Sequence, residues 1–315
     1  MNSLKAVAAQ IQSGQITREE FWRAMQHRHL QLREYQELIA GTDVDSIEIH
    51  GDELRIRTSR GIVMVWRPED MGTVPNVLVN YGHYEPTESA HLLAAGAGAQ
   101  VIFDVGANIG YYSLHWASRI APGGTIHAFE PVPSTFAWFS RNIALNHLDG
   151  VIRANNIGLG DATGTIPIFM PEFMGSGAAS MRDLHPDEVT RKLEVKQETL
   201  DRYFLDSGLD RLDLIKADVE GAELFVLRGG RNTIAKCRPL IFLELLRKWA
   251  KPFGYHPNDV LGMLGEMGYR CYTFDDGRLI PFQSMTEETT QKNFFFAHPD
   301  AHKQWFSDHD LAQEG

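Results

Sequence analysis

The first eighty residues show two hydrophobic patterns in succession. Thr17 and Glu20 have the spacing of a capping box, and apolar residues follow them at steps of three, four and seven, as on one face of a helix. These apolar positions are Phe21, Met25, Leu32, Tyr35 and Ile39. After Gly41, three short runs alternate between apolar and polar residues, and turn-forming residues separate them at 50–52 and 59–61. The pattern predicts a long amphipathic helix and a three-stranded meander, which together form a small α+β appendage over residues 1–80.

From residue 81 onward, short apolar runs alternate with segments of helical length. The runs lie at residues 101–105, 125–129, 151–154, 212–217 and 239–245. Because parallel strands need crossover connections, this alternation predicts βαβ units, and we expect a doubly wound α/β domain over residues 81–315. Two later runs, 270–274 and 293–297, predict a hairpin at the edge of the sheet. Residues 166–195 fit no regular element and are expected to form an irregular insertion.

Composition narrows the range of partners. The chain of 315 residues has 30 basic and 41 acidic side chains and a net charge of −11, which disfavours nucleic acid and anionic membranes as partners. The apolar runs are too short to span a bilayer, and the N-terminus lacks the apolar core of a signal peptide, so we expect a cytoplasmic protein. Cys237 and Cys271 lie far apart and lack metal-ligand spacing, so neither a disulfide framework nor a zinc site is expected.

The end of the first core strand has the sequence of an anion-binding or nucleotide-binding loop. Gly106 and Gly110 frame a turn that leads directly into a helix, where backbone N–H groups and the positive helix end face a ligand. The dinucleotide fingerprint requires glycine where this chain has Asn108, which argues against a pyrophosphate at this position. Asp104, just inside the strand, can accept hydrogen bonds from an ammonium or a hydroxyl group.

Glu130 lies at the end of the second core strand, twenty residues after Gly110. An acid at this place can accept hydrogen bonds from both hydroxyls of a ribose, in nicotinamide and S-adenosylmethionine sites alike. The alternative is that Glu130 and Pro131 merely end a strand and that the glycines merely form a turn. The combination of all these residues in one βαβ unit favours a ligand site.

Four segments in a fixed order carry a resemblance to a known family. They are Phe103-Asp104-Val105-Gly106-Ala107-Asn108-Ile109-Gly110-Tyr111-Tyr112, Ala128-Phe129-Glu130-Pro131-Val132-Pro133, Thr199-Leu200-Asp201 and Ile215-Lys216-Ala217-Asp218-Val219-Glu220-Gly221-Ala222-Glu223. Over about residues 80–297 the chain resembles the FkbM-type family of class I methyltransferases. The resemblance implies a Rossmann-like sheet of seven strands with an antiparallel last strand. It also implies S-adenosylmethionine as methyl donor and a hydroxyl acceptor on a sugar or another biosynthetic intermediate. The donor-binding residues expected on this basis are Asp104, Gly106, Ala107, Asn108, Gly110, Glu130, Pro131 and Gly158.

A second acidic cluster follows the fourth core strand. Asp218 and Glu220 stand where that strand would face the reacting methyl group, and either carboxylate can act as the base that removes the acceptor proton. Lys216 is a candidate for stabilising the developing alkoxide. With Glu244, at the end of the next strand, the two acids can also hold a divalent cation such as magnesium. The alternatives are that Glu220 caps the following helix and that Glu244 pairs with Arg247 or Lys248.

Histidine is the other candidate base. His83 precedes the first core helix and His185 lies in the irregular insertion, and an imidazole titrates near neutral pH. A histidine in a loop is also commonly only solvated, so this assignment competes with the carboxylates.

Other functions remain open at this stage. The main prediction is an S-adenosylmethionine-dependent O-methyltransferase acting on a small-molecule acceptor. The acidic cluster also suits a cationic acceptor, so an N-methyltransferase acting on a guanidine or amine is the nearest alternative. A nicotinamide-dependent oxidoreductase and a non-catalytic module are the others. The apolar helix face in residues 1–80 can pack on its own sheet or form a homo-oligomer contact.

Overall fold

The computed structural model describes residues 3–172, 175–185 and 187–311. The first part of the chain contains α1 (Leu4–Gln12), α2 (Arg18–Leu38), β1 (Val44–His50), β2 (Glu53–Thr58), β3 (Val63–Trp66), α3 (Val74–Tyr81) and α4 (Pro86–Ala95). The middle part contains β4 (Val101–Val105), α5 (Tyr111–Trp116), β5 (Thr125–Phe129), α6 (Pro133–Leu145), β6 (Ile152–Asn155), β7 (Gly158–Gly160), β8 (Gly164–Pro171), β9 (Thr190–Thr199) and α7 (Leu200–Asp206). The last part contains β10 (Leu214–Ala217), α8 (Glu223–Gly229), α9 (Arg231–Cys237), β11 (Leu240–Glu244), α10 (Arg247–Ala250), α11 (Pro257–Glu266), β12 (Arg270–Asp275), β13 (Arg278–Phe282), β14 (Asn293–Ala297) and α12 (Lys303–Asp308).

A central sheet with the strand order β13-β12-β14-β11-β10-β4-β5-β6 organises the chain. The strands β6, β5, β4, β10 and β11 run parallel, and β14 is antiparallel to β11. Apolar side chains alternate between the two faces of the sheet, as in Ile102 and Phe103, so that each face has its own cluster of buried residues. Helices cover both faces, which confirms the doubly wound α/β prediction.

The edge of this sheet differs from the expected hairpin. The runs at 270–274 and 293–297 do pair, but β14 lies between β11 and β12, and the hairpin at the edge is formed by β12 and β13. Its two-residue turn is Asp276-Gly277, and both residues have positive φ, 45° and 75°. An Asp-Gly pair is favoured in such turns because both positions need the left-handed conformation. This turn adds an eighth strand to the seven that the resemblance implied.

The N-terminal meander forms as predicted, and it packs against one face of the central sheet. Ile56 and Met64 are fully buried in the same cluster as the core residues of that face. The free edge of β3 is paired with the side chains of Asn142 in α6 and of Asn146, the residue that follows this helix. Asn146 contacts the backbone N–H and C=O of Val63, and Asn142 accepts the N–H of Val65. The division of the chain at residue 80 stays a prediction.

Helix α2 begins at the predicted capping box. The side chain of Thr17 accepts the backbone N–H of Glu20, and the Glu20 carboxylate accepts the N–H of Thr17. None of the 21 residues of the helix is buried, and its contact with the N-terminal sheet includes an edge-to-face pair between Tyr35 and Trp66. A homo-oligomer contact through this region stays a prediction. Among the described residues, no helix combines the length and apolar character that a membrane span requires.

The segment predicted to be irregular contains a long antiparallel hairpin instead. Strands β8 and β9 pair from Gly164 with Gln197 to Pro171 with Thr190, and β7 pairs in parallel with β9. The prolines of β8 are compatible with a strand because β8 lies at the edge of this small sheet. The 3₁₀ helix Gly175–Ala178 and the residues after it return along the hairpin, where Ser180 bridges Phe169.

Candidate active site

A pocket opens at the carboxyl ends of β4, β5 and β10, the edge at which open α/β sheets bind ligands. Its empty volume of about 1120 Å³ includes an opening to solvent. The loop after β4 and the residues after β5 and β10 form its floor. Val74 and Val77 of α3, Ile166 and Ile168 of β8, and Met181 form apolar walls.

The glycine loop has a backbone that only small residues permit. Gly106 has φ 74°, and a Cβ at this position would overlap the backbone carbonyl of Asp218. Gly110 has φ 92°, and a Cβ there would overlap the ring of Phe139. Asn108 also has a positive φ, 51°, and its side-chain oxygen accepts the N–H of Ile109. The loop therefore approaches the neighbouring strand closely and lines the pocket with backbone, as a nucleotide-type ligand requires.

Glu130 is buried behind this loop. One carboxylate oxygen accepts the N–H of Asn108 at 3.0 Å, and the other accepts the N–H of Val132 at 2.8 Å. Burial raises the pKa of Glu130 to about 7, although the two backbone N–H groups oppose this shift. Each carboxylate oxygen can accept more than one hydrogen bond, so Glu130 keeps the capacity to bind hydroxyl groups. Pro131 and Gly158 line the pocket beside it.

Asp104 and Lys216 form a buried pair below the loop. Asp104 is fully buried, and one of its oxygens accepts the hydroxyl of Ser113 at 2.6 Å. Its other oxygen lies 3.6 Å from Nζ of Lys216, which donates to the carbonyl of Gly106 at 2.9 Å and lies 3.7 Å from Asp218. Burial alone would lower the pKa of Lys216, but Asp218 and Asp104 outweigh it and raise that pKa. Lys216 thus stays charged and connects β10 to the glycine loop.

The predicted acidic cluster forms at the carboxyl ends of β10 and β11. One carboxylate oxygen from each of Asp218, Glu220 and Glu244 lies within 4.8 Å of the other two. Burial raises the pKa of Glu220 to about 9 and that of Glu244 to about 8, and the charge of Asp218 is the next cause in both cases. The backbone N–H groups of Val219 and Gly221, before helix α8, donate to the carboxylate of Glu223. Glu220 does not cap this helix.

Lys292, which the sequence did not single out, contacts this cluster and connects it to Glu85. Lys292 lies 3.2 Å from Glu244 and 2.7 Å from Glu85, so Glu244 pairs with Lys292 and not with Arg247 or Lys248. Glu85 has a positive φ of 41°, a conformation that is strained for a residue other than glycine. The sequence contains an indication of where Lys292 lies. It precedes β14, and an antiparallel strand begins at the edge where its parallel neighbour ends.

The two candidate histidines are not brought to the cluster. His83 is about half exposed, its Nδ1 lies 3.1 Å from a carboxylate oxygen of Asp43, and it does not line the pocket. It turns toward the N-terminal sheet because Gly82, with φ 83°, ends helix α3 immediately before it. His185 packs against Trp249 and also lies outside the lining of the pocket. The carboxylates are therefore the candidate bases that the geometry favours.

Comparison with known proteins agrees with this arrangement. The sequence model of the family described as "Methyltransferase FkbM domain" matches residues 104–271. Methyltransferase sdnD of Sordaria araneosa is 36% identical over 154 residues, which cover 41% of this chain and 59% of sdnD. The 31-O-demethyl-FK506 methyltransferase FkbM of Streptomyces tacrolimicus is 30% identical over 160 residues, which cover 41% of this chain and 58% of that protein. The hexuronic acid methyltransferase AglP of Haloferax volcanii is 24% identical over 219 residues, which cover 70% of this chain and 79% of AglP.

The matched segment contains the parts from which the pocket is built. It begins at Asp104 and includes the glycine loop, Glu130 and the acidic cluster, and it spans more than half of the 315 residues. The chain spans somewhat under three fifths of the length of FkbM and about three fifths of that of sdnD. The resemblance seen in the sequence is confirmed, and the protein belongs to the methyltransferase FkbM domain family.

Proposed function

We propose that the protein transfers the methyl group of S-adenosylmethionine to a hydroxyl group of a small metabolite. The observation that carries the proposal is that the glycine loop with Glu130 and the carboxylates Asp218 and Glu220 line one pocket. Membership of the FkbM family supports the donor and the reaction class. The name of the relative 31-O-demethyl-FK506 methyltransferase supports oxygen as the methylated atom, and the name of the hexuronic acid methyltransferase supports a sugar-type acceptor.

The donor end of the pocket fits S-adenosylmethionine in charge and shape. A Cβ at Gly106 or Gly110 would overlap Asp218 or Phe139, so the loop is a tight backbone turn at the edge of the pocket. Glu130 beside it can accept hydrogen bonds from a ribose. Asp104, which was expected to bind the donor, is fully buried beside Lys216 and does not line the pocket, so it supports the loop from below. The acids that line the pocket are Glu130, Asp218 and Glu220, and they suit the positively charged donor. When bound, this donor supplies a methyl group on a sulfonium, which is a strong electrophile.

The acceptor end fits the removal of a hydroxyl proton. Burial raises the pKa of Glu220 to about 9, so this carboxyl is mostly protonated near neutral pH and acts as a base only at higher pH or when a bound cation favours its ionised form. Asp218 lies 3.7 Å from the ammonium of Lys216, which can stabilise negative charge that develops on the acceptor oxygen. We assign the proton transfer to the Asp218 and Glu220 pair, with Lys216 as the electrostatic partner.

The acidic cluster also fits a cation, which is the second element of the proposal. Hard cations prefer carboxylate oxygens, and Asp218, Glu220 and Glu244 offer three of them close together. A magnesium-class cation would be held by these residues and would acidify a coordinated hydroxyl. An ammonium or guanidinium group of an acceptor would also be attracted by these three acids. An assay therefore has to decide whether oxygen or nitrogen is methylated.

Donor binding is the first test. Calorimetric titration should show binding of S-adenosylmethionine and S-adenosylhomocysteine and no binding of NADH. In Glu130→Ala we expect affinity for both sulfur compounds to fall about 10- to 100-fold, because charge-assisted hydrogen bonds are lost. Glu266→Gln, at an exposed position at the end of α11, is the control and should bind as the wild type does. Binding of NADH alone would refute the donor assignment, and unchanged affinity in Glu130→Ala would refute the role of Glu130.

Transfer is tested with a panel of sugars, polyols and guanidines and a mass-spectrometric readout of the methylated atom. We expect methylation of oxygen, and loss of turnover with retained donor binding in Asp218→Asn. Full activity in Asp218→Asn would remove Asp218 from the mechanism. The rate of methyl transfer measured after chelation by EDTA, and again after addition of magnesium or manganese, shows whether the reaction requires a divalent cation. An unchanged rate would exclude such a requirement.

A further inference from the structure

The loop that carries Asp218 and Glu220 has an unfavourable backbone conformation. It connects β10 to α8 in a few residues, and two consecutive residues, Glu220 and Gly221, have positive φ of 51° and 98°. This conformation is unfavourable for glutamate. A Cβ at Gly221 would lie close to the backbone carbonyl of Trp249, so the loop also packs tightly against α10. Such a loop keeps its shape only if its surroundings hold it.

A buried carboxylate holds the loop from the side of helix α8. Glu223 is 2% exposed, and one of its oxygens accepts the N–H of Val219 at 3.0 Å and the N–H of Gly221 at 3.2 Å. A single side chain therefore binds the backbone on both sides of Glu220. These N–H groups lie before the first turn of α8, so this contact fixes the loop as well as the start of the helix.

Two hydroxyl groups hold the loop from other directions. Tyr255 lies before α11, and its hydroxyl is 3.0 Å from the carbonyl of Gly221 and 3.2 Å from the second oxygen of Glu223. Ser180 follows the 3₁₀ helix of the hairpin insertion, and its hydroxyl donates to the carbonyl of Glu220 at 2.8 Å. Three separate segments of the chain thus converge on the backbone of one loop.

We propose that Glu223 and Tyr255 are positioning residues for the carboxylates that carry the reaction. They hold the backbone of residues 218–221 so that the side chains of Asp218 and Glu220 point into the pocket, and Ser180 adds a third contact from the hairpin insertion. Neither Glu223 nor Tyr255 lines the pocket, so their effect on catalysis is indirect. The inference rests on the methyl transfer proposed above.

Tyr255→Phe tests the inference with a matched control. The hydroxyl of Tyr269 donates to the carbonyl of Pro239 at 3.0 Å, so Tyr269→Phe removes the same kind of hydrogen bond at a place that does not line the pocket. With an acceptor from the panel, we expect kcat to fall about tenfold or more in Tyr255→Phe, because small displacements of reacting groups are costly. Donor affinity should stay within about twofold, and Tyr269→Phe should keep the wild-type kcat at a similar loss of stability. Equal kcat in both variants would overturn the inference.

Glu223 is tested by amide hydrogen exchange at Val219 and Gly221, which needs no acceptor. In Glu223→Ala we expect exchange at both amides to be about tenfold faster or more, whereas Glu223→Gln keeps an accepting oxygen and should retain most of the protection and of kcat. Unchanged protection in Glu223→Ala would overturn the inference, and so would a kcat in that variant equal to the wild-type value. If the wild type binds the donor but methylates nothing in the panel, the proposed function fails, while the exchange result still decides whether Glu223 holds the loop. If Glu223→Ala does not fold, Glu223→Gln and Tyr255→Phe decide the question.

Discussion

Asn142 joins the N-terminal sheet to the glycine loop, and its replacement gives the sharpest test of the architecture. The side chain is fully buried in α6. Its oxygen accepts the N–H of Val65 at 2.8 Å, and its nitrogen donates to the carbonyl of Ile109 at 2.9 Å. Leucine has the same number of side-chain heavy atoms with the same branching, so Asn142→Leu removes both hydrogen bonds without leaving a large cavity.

The expected loss of stability depends on the two backbone groups that Asn142→Leu leaves without a hydrogen-bond partner. Val65 and Ile109 are only 7% and 4% exposed, so water cannot readily replace the lost partners. A buried backbone group without a partner costs about 1–3 kcal/mol, so the two together should lower the free energy of unfolding by roughly 2–6 kcal/mol. At about 2–4 °C per kcal/mol, the melting temperature should fall by roughly 4–24 °C. Because Ile109 belongs to the glycine loop, affinity for S-adenosylmethionine should also weaken severalfold.

Urea denaturation and calorimetric titration of the same preparations measure both effects. Asn80→Leu, at an exposed position in α3, is the control for the change of residue type and should lose less than about 0.5 kcal/mol. A loss below about 1 kcal/mol in Asn142→Leu would show that the two backbone groups find other partners, and the account of the junction would be wrong. A large loss of stability with unchanged donor affinity would show that the contact between Asn142 and Ile109 does not affect donor binding.

The other predictions concern the pocket directly. Gly106→Ala should abolish donor binding in calorimetry in a protein that still folds, because its Cβ would overlap the carbonyl of Asp218; retained affinity would mean that the loop can move aside. Glu220→Gln should stabilise the protein by on the order of 2–4 kcal/mol more at pH 8 than at pH 5, measured by denaturant unfolding against the wild type. Burial raises the pKa of Glu220 in the folded protein to about 9, above its ordinary value of 4.5 in an unfolded chain. The folded wild type therefore loses stability as the pH rises between these two values, and glutamine removes this loss. A difference between variant and wild type that does not depend on pH would contradict the raised pKa.

The elements that the sequence predicted are those whose patterns are local. The capping box at Thr17 and the buried parallel strands each carry their signal within a few residues. The hairpin of β8 and β9 was missed for the opposite reason. Ile166, Ile168 and Met170 do alternate with other residues, but Pro167 and Pro171 interrupt the pattern, and prolines are read as breakers of a central strand. That β8 is an edge strand depends on tertiary structure, which the sequence pattern does not show.

Only the part of the site that lies at the ends of parallel strands was predicted from the sequence. The ends of parallel strands meet at one edge of a sheet, so Glu130, Asp218 and Glu244 could be placed near each other from strand positions alone. Lys292 comes from an antiparallel strand whose position between β11 and β12 was not predicted. His83 was singled out for its chemistry, but the turn at Gly82 directs it to Asp43, which only the packed structure reveals.

The acidic groups at the acceptor end of the pocket lower the stability of the fold. This cost supports a functional role for them. Burial and the charge of Asp218 disfavour ionisation of Glu220 and Glu244 and raise the pKa of both carboxyls well above the usual range. Glu220 and Glu85 both have left-handed backbones that a glycine would adopt more easily. Residues chosen for stability alone would avoid both features, since a neutral side chain or a glycine at these positions costs less. A bound cation would offset this cost, because it would favour ionisation of all three carboxylates beyond what Lys216 and Lys292 supply.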